Sequence, residues 1–302
     1  MDYQFYTTDV FTSKPFNGAR IPVFPNADGL SDYQMQLIAN ETNASDTVFV
    51  TDDDDKNTKQ LRIFTATKKE TKPATHTLIA AAQVLTSLNQ LPLDSKTPLF
   101  FKNGNAVSEI FVTNDNGKPG VIIQSQITRA VIDRFVPTND ELARMLSLIP
   151  ADIGFDHHQP LIISCDAPYL IVPIKSYNAI RAARFDTRAW SQSSAPASAA
   201  QGILLFSNNT DENSADFHTR LMGPDISIHD DPPVAPVISD FAHYLCQNPR
   251  IQKGTHVFAV QRGANEDRRS YLHLEMDNKE EKELTIRIGG SAVMMTESTL
   301  SV

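Results

Sequence analysis

Thr77-Leu78-Ile79-Ala80-Ala81-Ala82-Gln83-Val84-Leu85-Thr86-Ser87-Leu88 is apolar almost all the way round a helix, with Gln83 interrupting an otherwise hydrophobic run. A helix without a polar face has to be surrounded by other elements, so this segment is expected at the centre of a packed unit. Strand-like text stands on both sides of it. Upstream come Tyr3 to Phe11, Ile21 to Phe24, Thr47 to Thr51 and Leu61 to Thr65, rich in Val, Ile and Phe; downstream come Leu99–Phe101, Val107–Val112 and Val121–Gln124. Ser31-Asp32-Tyr33-Gln34 has the S-x-x-Q form of a capping box, in which Ser and Gln satisfy orphan N–H groups reciprocally. The helix it opens buries Met35, Ile38 and Ala39 and is expected to end near Glu41.

A similar order recurs downstream. Thr138-Asn139-Asp140-Glu141 is a second capping box, opening a helix with Leu142, Met145 and Leu146 on one side. Strands are expected at Leu161–Ser164, Tyr169–Ile174 and Ile203–Ser207, then a second apolar helix from Val237 to Leu245, then strands at Val257–Val260, Tyr271–Met276 and Leu284–Ile288. SQSSAPASAA, residues 191–200, reads as a surface loop or a poorly formed helix. The pattern gives an α+β class with two like-built lobes joined near Thr128 to Val136. The N-terminal lobe is expected over 1–132, completed by 289–302, and the C-terminal lobe over 133–288.

Composition narrows the function classes. The chain has 302 residues, is 41% hydrophobic and 21% charged, and carries a net charge of −9, so it has ample material for a core and a surface that repels phosphate backbones. No Lys/Arg-rich run offsets this, and the dense charge run at Asp52 to Asp55 is acidic, so nucleic acid is not an expected partner. Two cysteines, Cys165 and Cys246, stand far apart, which excludes a disulfide scaffold and a thiolate zinc cluster and suits a reducing compartment. Neither a signal pattern nor a bilayer-length apolar stretch is present, so the expected location is the cytoplasm, away from membranes.

Standard chemical motifs are missing: no GxGxxG follows a strand, and there is no GxxxxGK[ST], HExxH or GxSxG. Gly289-Gly290-Ser291 follows a strand directly and reads as a bulge or turn. Asp156-His157-His158 reads as a solvated loop, since adjacent residues rarely converge on one ion, and both cysteines read as small core hydrophobes. More informative are the entrances to the two apolar helices, Ala74-Thr75-His76-Thr77 and His229-Asp230-Asp231-Pro232-Pro233. A helix N-terminus presents unpaired N–H groups and positive potential, which suit a carboxylate or phosphate. The plainer alternative, which spacing by itself favours, is that Asp231 caps its helix and His76 fills a polar gap.

Several segments in order resemble the PhzF-like family of phenazine-biosynthesis isomerases. They are Asp9-Val10-Phe11-Thr12 with Lys14-Pro15-Phe16-Asn17-Gly18, the run from Ile38 to Val50 that reads IANETNASDTVFV, Arg62-Ile63-Phe64-Thr65, Ala74-Thr75-His76, Asp230-Asp231-Pro232 and Ile288-Gly289-Gly290-Ser291-Ala292-Val293. The resemblance implies the diaminopimelate-epimerase fold, in which each of two lobes wraps a sheet around a central helix and the active site lies between them. It also implies a cofactor-free homodimer, with no metal, that moves a proton between carbons of a small carboxylate-bearing substrate. By the same resemblance Glu41 is the general acid/base, and His76 and Asp231 complete the catalytic set. A carboxylate titrates near 4.3 in water, and burial in a closed site raises it toward a useful range.

The substrate-facing positions of the family fall on Gly18 and Ala19, Thr75 and Thr77, and Val234, Ala235 and Pro236, and most of them depart from its pattern. Ala19 replaces an Asn, Thr75 a Gly, Thr77 a Pro, and Val234-Ala235-Pro236-Val237 stands in place of T-G-S-A. Pro236 has no N–H, so the second anion-binding terminus is weakened or reshaped for a less polar ligand. Gln261 stands where the family usually has Glu. Two readings follow: an isomerase or epimerase with an altered substrate, or a catalytically silent relative that binds a small ligand or partner. The substitutions speak against the family's parent reaction on 2,3-dihydro-3-hydroxyanthranilate.

Overall fold

The computed structural model describes residues 1–302 apart from 54, 56, 57, 67, 68, 209, 211–214, 225, 227–230, 264–267, 280, 281 and the side chain of residue 69. The chain divides into two compact units, Met1–Gln126 with Arg287–Val302, and Ile127–Ile286. The sequence pattern put the junction at 132/133 and the return at 289; the contacts put them six and two residues earlier, because the long strand Lys118–Arg129 carries the chain across.

The first unit is a mixed sheet covered on both faces. Its strands are β1 (Asp2–Val10), β2 (Ala19–Phe24), β3 (Thr47–Asp52), β4 (Thr58–Thr65), β5 (Lys69–Thr71), β6 (Leu99–Asn103), β7 (Ala106–Asp115) and β8 (Lys118–Arg129), joined by the C-terminal strand Ala292–Ser301. β1 runs antiparallel to β2 and to the C-terminal strand, with Tyr6 opposite Val23 and Asp2 opposite Ser301. β2 and β3 are parallel, as are β4 and β6, and these crossovers hold the helices α1 (Asp32–Thr42) and α2 (Thr75–Ser87). The α1 box forms as the sequence predicts: the Ser31 hydroxyl accepts the Gln34 N–H while the Gln34 side chain accepts the Ser31 N–H. Its Met35, Ile38 and Ala39 pack on a ladder of rings, Phe5, Phe24, Phe49 and Phe64, with adjacent centroids 4.9, 5.0 and 5.7 Å apart.

α2 packs against β1, β2, β3, β7 and the C-terminal strand. Its residues from Thr75 to Thr86 are all buried, which is why no polar face is present in the sequence. β2 and β3 lie between the two helices, and Val48, Phe49 and Val50 are therefore buried in succession instead of alternating.

The second unit holds β9 (Val131–Asp133), β10 (Leu161–Ser164), β11 (Pro168–Pro173), β12 (Ile203–Ser207), β13 (Phe217–Met222), β14 (Gly254–Arg262), β15 (Ser270–Asn278) and the first half of β16 (Glu283–Gly290). Antiparallel pairs β9–β10, β10–β11, β12–β13 and β14–β15 alternate with parallel pairs β11–β12 and β13–β14. One face carries α3 (Asn139–Leu146), α4 (Tyr177–Ala182) and α5 (Thr187–Ser191), whose Leu142, Met145, Leu146, Ile180 and Trp190 share a core with Ile162, Leu170, Ile203 and Leu205. α6 (Ile238–Leu245) packs against β10, β11 and β15.

Three readings need correction. The second apolar helix begins one residue late, at Ile238, after a 3-10 turn over Ala235–Val237 that Pro236 can open because its missing N–H has no acceptor there anyway. Gly289 and Gly290 end strand β16 and are not a bulge or turn; a Cβ on Gly290 would stand 2.5 Å from Phe11 Cδ1, so close packing explains that glycine. Residues 191–200, expected as a loop or poorly formed helix, hold the end of α5 and a short 3-10 helix, Ala195–Ser198, in keeping with that reading. β13 was missed altogether, because Phe217-His218-Thr219-Arg220 breaks the apolar pattern although every residue of the strand is buried.

Candidate functional site

In the first unit the polar centre lies where α1 hands over to β3 and where α2 begins. α1 ends on Asn43, whose left-handed φ of 46° reverses the chain, and the Thr42 and Thr47 hydroxyls meet at 2.9 Å across the turn. Ala44 is buried, so the turn is pinned, and Asp46 is held directly ahead of β3. The Asp46 Oδ2 atom lies 2.9 Å from Nε2 of His76, the second residue of α2. The His76 side chain is 2% exposed and that of Asp46 14%, so the imidazole is enclosed and the carboxylate is partly open. His76 Nδ1 is buried and has no hydrogen-bond partner among the described residues.

Glu41 stands elsewhere on α1. Met35, Ile38 and Ala39 mark the buried stripe, and at 100° per residue Glu41 falls well off it; it is exposed, and no hydrogen bond to it exists among the described residues. The burial expected for this carboxylate is therefore not seen. Asp46, which spacing along the chain does not mark as a site residue, is the acid that meets His76. The signal for it was present: a carboxylate in a short turn between a capped helix and a buried strand has few directions in which to point.

The remaining candidates of this unit have local structural duties. The Thr77 hydroxyl accepts the Ala74 N–H at 3.0 Å and donates to the Ala74 carbonyl at 2.8 Å, replacing the side-chain cap that Ala74 lacks. The Thr75 hydroxyl donates to Gln124 Oε1, both side chains being buried. The helix geometry leaves the backbone N–H groups of Thr75 and His76 without intrahelical acceptors. Gly18 has φ +69°, and a Cβ there would stand 2.2 Å from the Val10 carbonyl oxygen, so the turn admits only glycine. The same turn is held by Asp9, buried at 1% exposure, whose Oδ2 accepts the Phe16 N–H at 2.8 Å. Ala19 is buried at the start of β2.

The second unit contains Asp231 and an unexpected set of buried polar residues. His229 and Asp230 lie outside the described residues. Asp231 precedes α6 by seven positions, and the α6 cap is Val237 with no side-chain hydrogen bond, so Asp231 does not cap that helix. It lies instead within electrostatic reach of Arg220 on β13 and Arg262 on β14, and in each case its charge opposes the lowering of the guanidinium pKa by burial. Arg220 Nη1 donates to the carbonyls of Ala183 at 2.9 Å and Ile180 at 3.3 Å. His218 and Gln261, paired across β13 and β14, are fully buried, and the His218 ring meets Tyr177 edge to face at 4.5 Å. Val234 and Ala235 are buried and Pro236 is exposed.

Asp240, in the first turn of α6, is 2% exposed; burial pushes its carboxyl up to about 7, against the opposing hydrogen bond from the Cys165 N–H at 2.9 Å. Burial also raises the thiol of Cys165 well above its ordinary range and that of Cys246 to about 11, so neither is a ready nucleophile. His158 is a core histidine, stacked on Tyr244 and 2.9 Å from Asn248 Nδ2. Among the described residues no cluster of His, Cys, Asp and Glu could hold a metal ion, and no helix is long and apolar enough to cross a membrane.

The chain matches the family model of phenazine biosynthesis-like proteins over residues 8–298. An uncharacterized isomerase of Mesorhizobium japonicum is 27% identical over 97% of both chains. The trans-2,3-dihydro-3-hydroxyanthranilate isomerase of Pseudomonas chlororaphis is 24% identical over 99% of both. In fold, the chain is similar to a PhzF-family phenazine biosynthesis protein of Bacillus anthracis, with a TM-score of 0.87, 20% identity and all of both chains covered. A hydroxyproline epimerase of Agrobacterium vitis follows more distantly, at a TM-score of 0.63 and 7% identity over 99% of this chain and 91% of its own. The central helix in each unit, the order of the elements and these matches agree: the chain belongs to the phenazine biosynthesis-like PhzF family and is an isomerase of the diaminopimelate-epimerase-like fold.

Proposed function

We propose that the protein catalyses a cofactor-independent proton transfer between carbons of a small, carboxylate-bearing substrate, and that Asp46 and His76 form its acid/base centre. The observation that carries this reading is the 2.9 Å hydrogen bond between a partly open carboxylate and an enclosed imidazole at the entrance of α2. Moving a proton from one carbon to another changes no oxidation state. It needs one group that accepts the proton, holds it and returns it at the second carbon. The partly exposed Asp46 can do this, while Nε2 of His76 orients it. With Nε2 as the donor, Nδ1 is left as an acceptor for a polar hydrogen of the substrate. The sequence resemblance gave the acid/base role to Glu41; its exposure and lack of a partner favour Asp46. A cytoplasmic homodimer, with Asp231 as a further polar contact to the substrate, completes the proposal, and the two free cysteines suit that compartment.

Proton exchange in heavy water tests it. The protein is incubated with trans-2,3-dihydro-3-hydroxyanthranilate and a panel of cyclic and amino acids, and deuterium at carbon is followed by NMR. Wild type is expected to label a substrate, Asp46→Asn to lose the exchange by about 10²-fold or more, and Glu41→Gln to retain it. The opposite ranking returns the role to Glu41. No exchange with any compound, from a folded protein, favours the ligand-binding reading. Light scattering is expected to give twice the chain mass of 33.5 kDa.

A further inference from the structure

We infer that Arg262 is an anion-binding residue of the second unit, holding a carboxylate of the ligand. Arg262 closes strand β14 and is 5% exposed. Its Nε and Nη1 atoms are buried without a hydrogen-bond partner among the described residues. A guanidinium stays charged at any pH a protein experiences, so it cannot relieve its burial by losing a proton. Buried charges are ordinarily paired and fully hydrogen-bonded. Arg220, a strand away, shows the usual solution, with two backbone carbonyls taking its Nη1 protons.

The neighbouring strands offer Arg262 no acceptor among the described residues. Its neighbours in register are Thr219 on β13 and Ser270 on β15, both short and both buried. The Thr219 hydroxyl already donates to the Gln261 carbonyl at 2.8 Å. The guanidinium is thus flanked by side chains too short to cover it, and its Nε and Nη1 donors are left unfilled by the described residues. Asp231 acts on Arg262 electrostatically, and Arg268 adds positive charge nearby. A small anion fits these donors: a carboxylate oxygen accepts from such N–H groups in short, charge-assisted bonds. The identity of the anion as a substrate carboxylate rests on the proposed function; the anion site rests on the burial and the unfilled donors.

The test uses benzoate, with benzamide as its neutral isostere, on the full-length protein labelled with ¹⁵N-arginine. Benzoate is expected to shift one Nε–H resonance, identified as Arg262 by its loss in Arg262→Lys, and benzamide is expected to leave it in place. Calorimetric titration is expected to show Arg262→Gln weakening benzoate binding by about tenfold or more, with Arg262→Lys in between. The inference is overturned if a folded Arg262→Gln binds benzoate as wild type does, if both probes bind alike, or if wild type gives no Nε–H shift at saturation. Should Arg262→Gln fail to fold, the wild-type resonance decides. Failure of the isomerase reading shows differently: no deuterium reaches carbon in any compound, while benzoate still depends on Arg262.

Discussion

Asp240 carries its charge at a cost that the fold imposes. Its carboxyl is raised from 3.8 to about 7 by burial, so between those values the native state keeps a proton that the unfolded chain releases. The native state therefore binds more protons, and stability falls as pH rises through that window, by up to about 1.4 kcal/mol per pH unit. Asp240→Asn still accepts the Cys165 N–H through its carbonyl but does not titrate. Urea unfolding between pH 4.5 and 7.5 is expected to show a flatter pH dependence for the variant, its gain over wild type growing with pH; parallel curves would contradict this. Gly18 belongs at the same scale. Its positive φ and the approach of Val10 mean that Gly18→Ala should lower thermal stability, by about 1–3 kcal/mol, before any effect on ligand binding is considered.

At the scale of elements, the two capped helices were legible from four residues each. S-x-x-Q at Ser31 and T-x-x-E at Thr138 both form reciprocal boxes, because capping is a contact between near neighbours that tertiary structure seldom overrides. Ser31→Ala should cost about 1 kcal/mol in chemical denaturation. Leu78→Ala, in the fully enclosed α2, should cost about 2–5 kcal/mol by the same measurement, since its surroundings close on it from every side. β13 was not legible for the opposite reason. Its alternation of Phe217, Thr219 and Leu221 with His218 and Arg220 looks like a half-exposed strand or a loop, and only the elements packed on both faces bury the polar half. The candidate site suffered from the same limit: Asp46 and His76 are thirty residues apart, and their meeting depends on the Asn43 turn.

At the scale of the molecule, the first unit is closed by its own C-terminus. The strand Ala292–Ser301 lies against β1 along its length, and the Val302 N–H reaches the Met1 carbonyl at 2.8 Å. Deleting residues 291–302 exposes one edge of β1 and uncovers α2, so amide exchange protection across Asp2–Val10 should collapse. Retained protection there would mean that β2 and α2 suffice to hold the strand.

Local chemistry by itself determined the α+β class, the two capped helices and the central apolar helix of the first unit, while the family was legible only as a resemblance of motif segments along the chain. Each of these depends on residues within a few positions of one another or on the burial that an apolar run demands. Which carboxylate meets His76, why Gly18 and Gly290 are glycines, and how Arg262 comes to be buried with open donors were decided by tertiary structure alone. The reason is physical: hydrogen-bond geometry, steric approach and desolvation act between groups that only folding brings together, and spacing along the chain does not encode their distances.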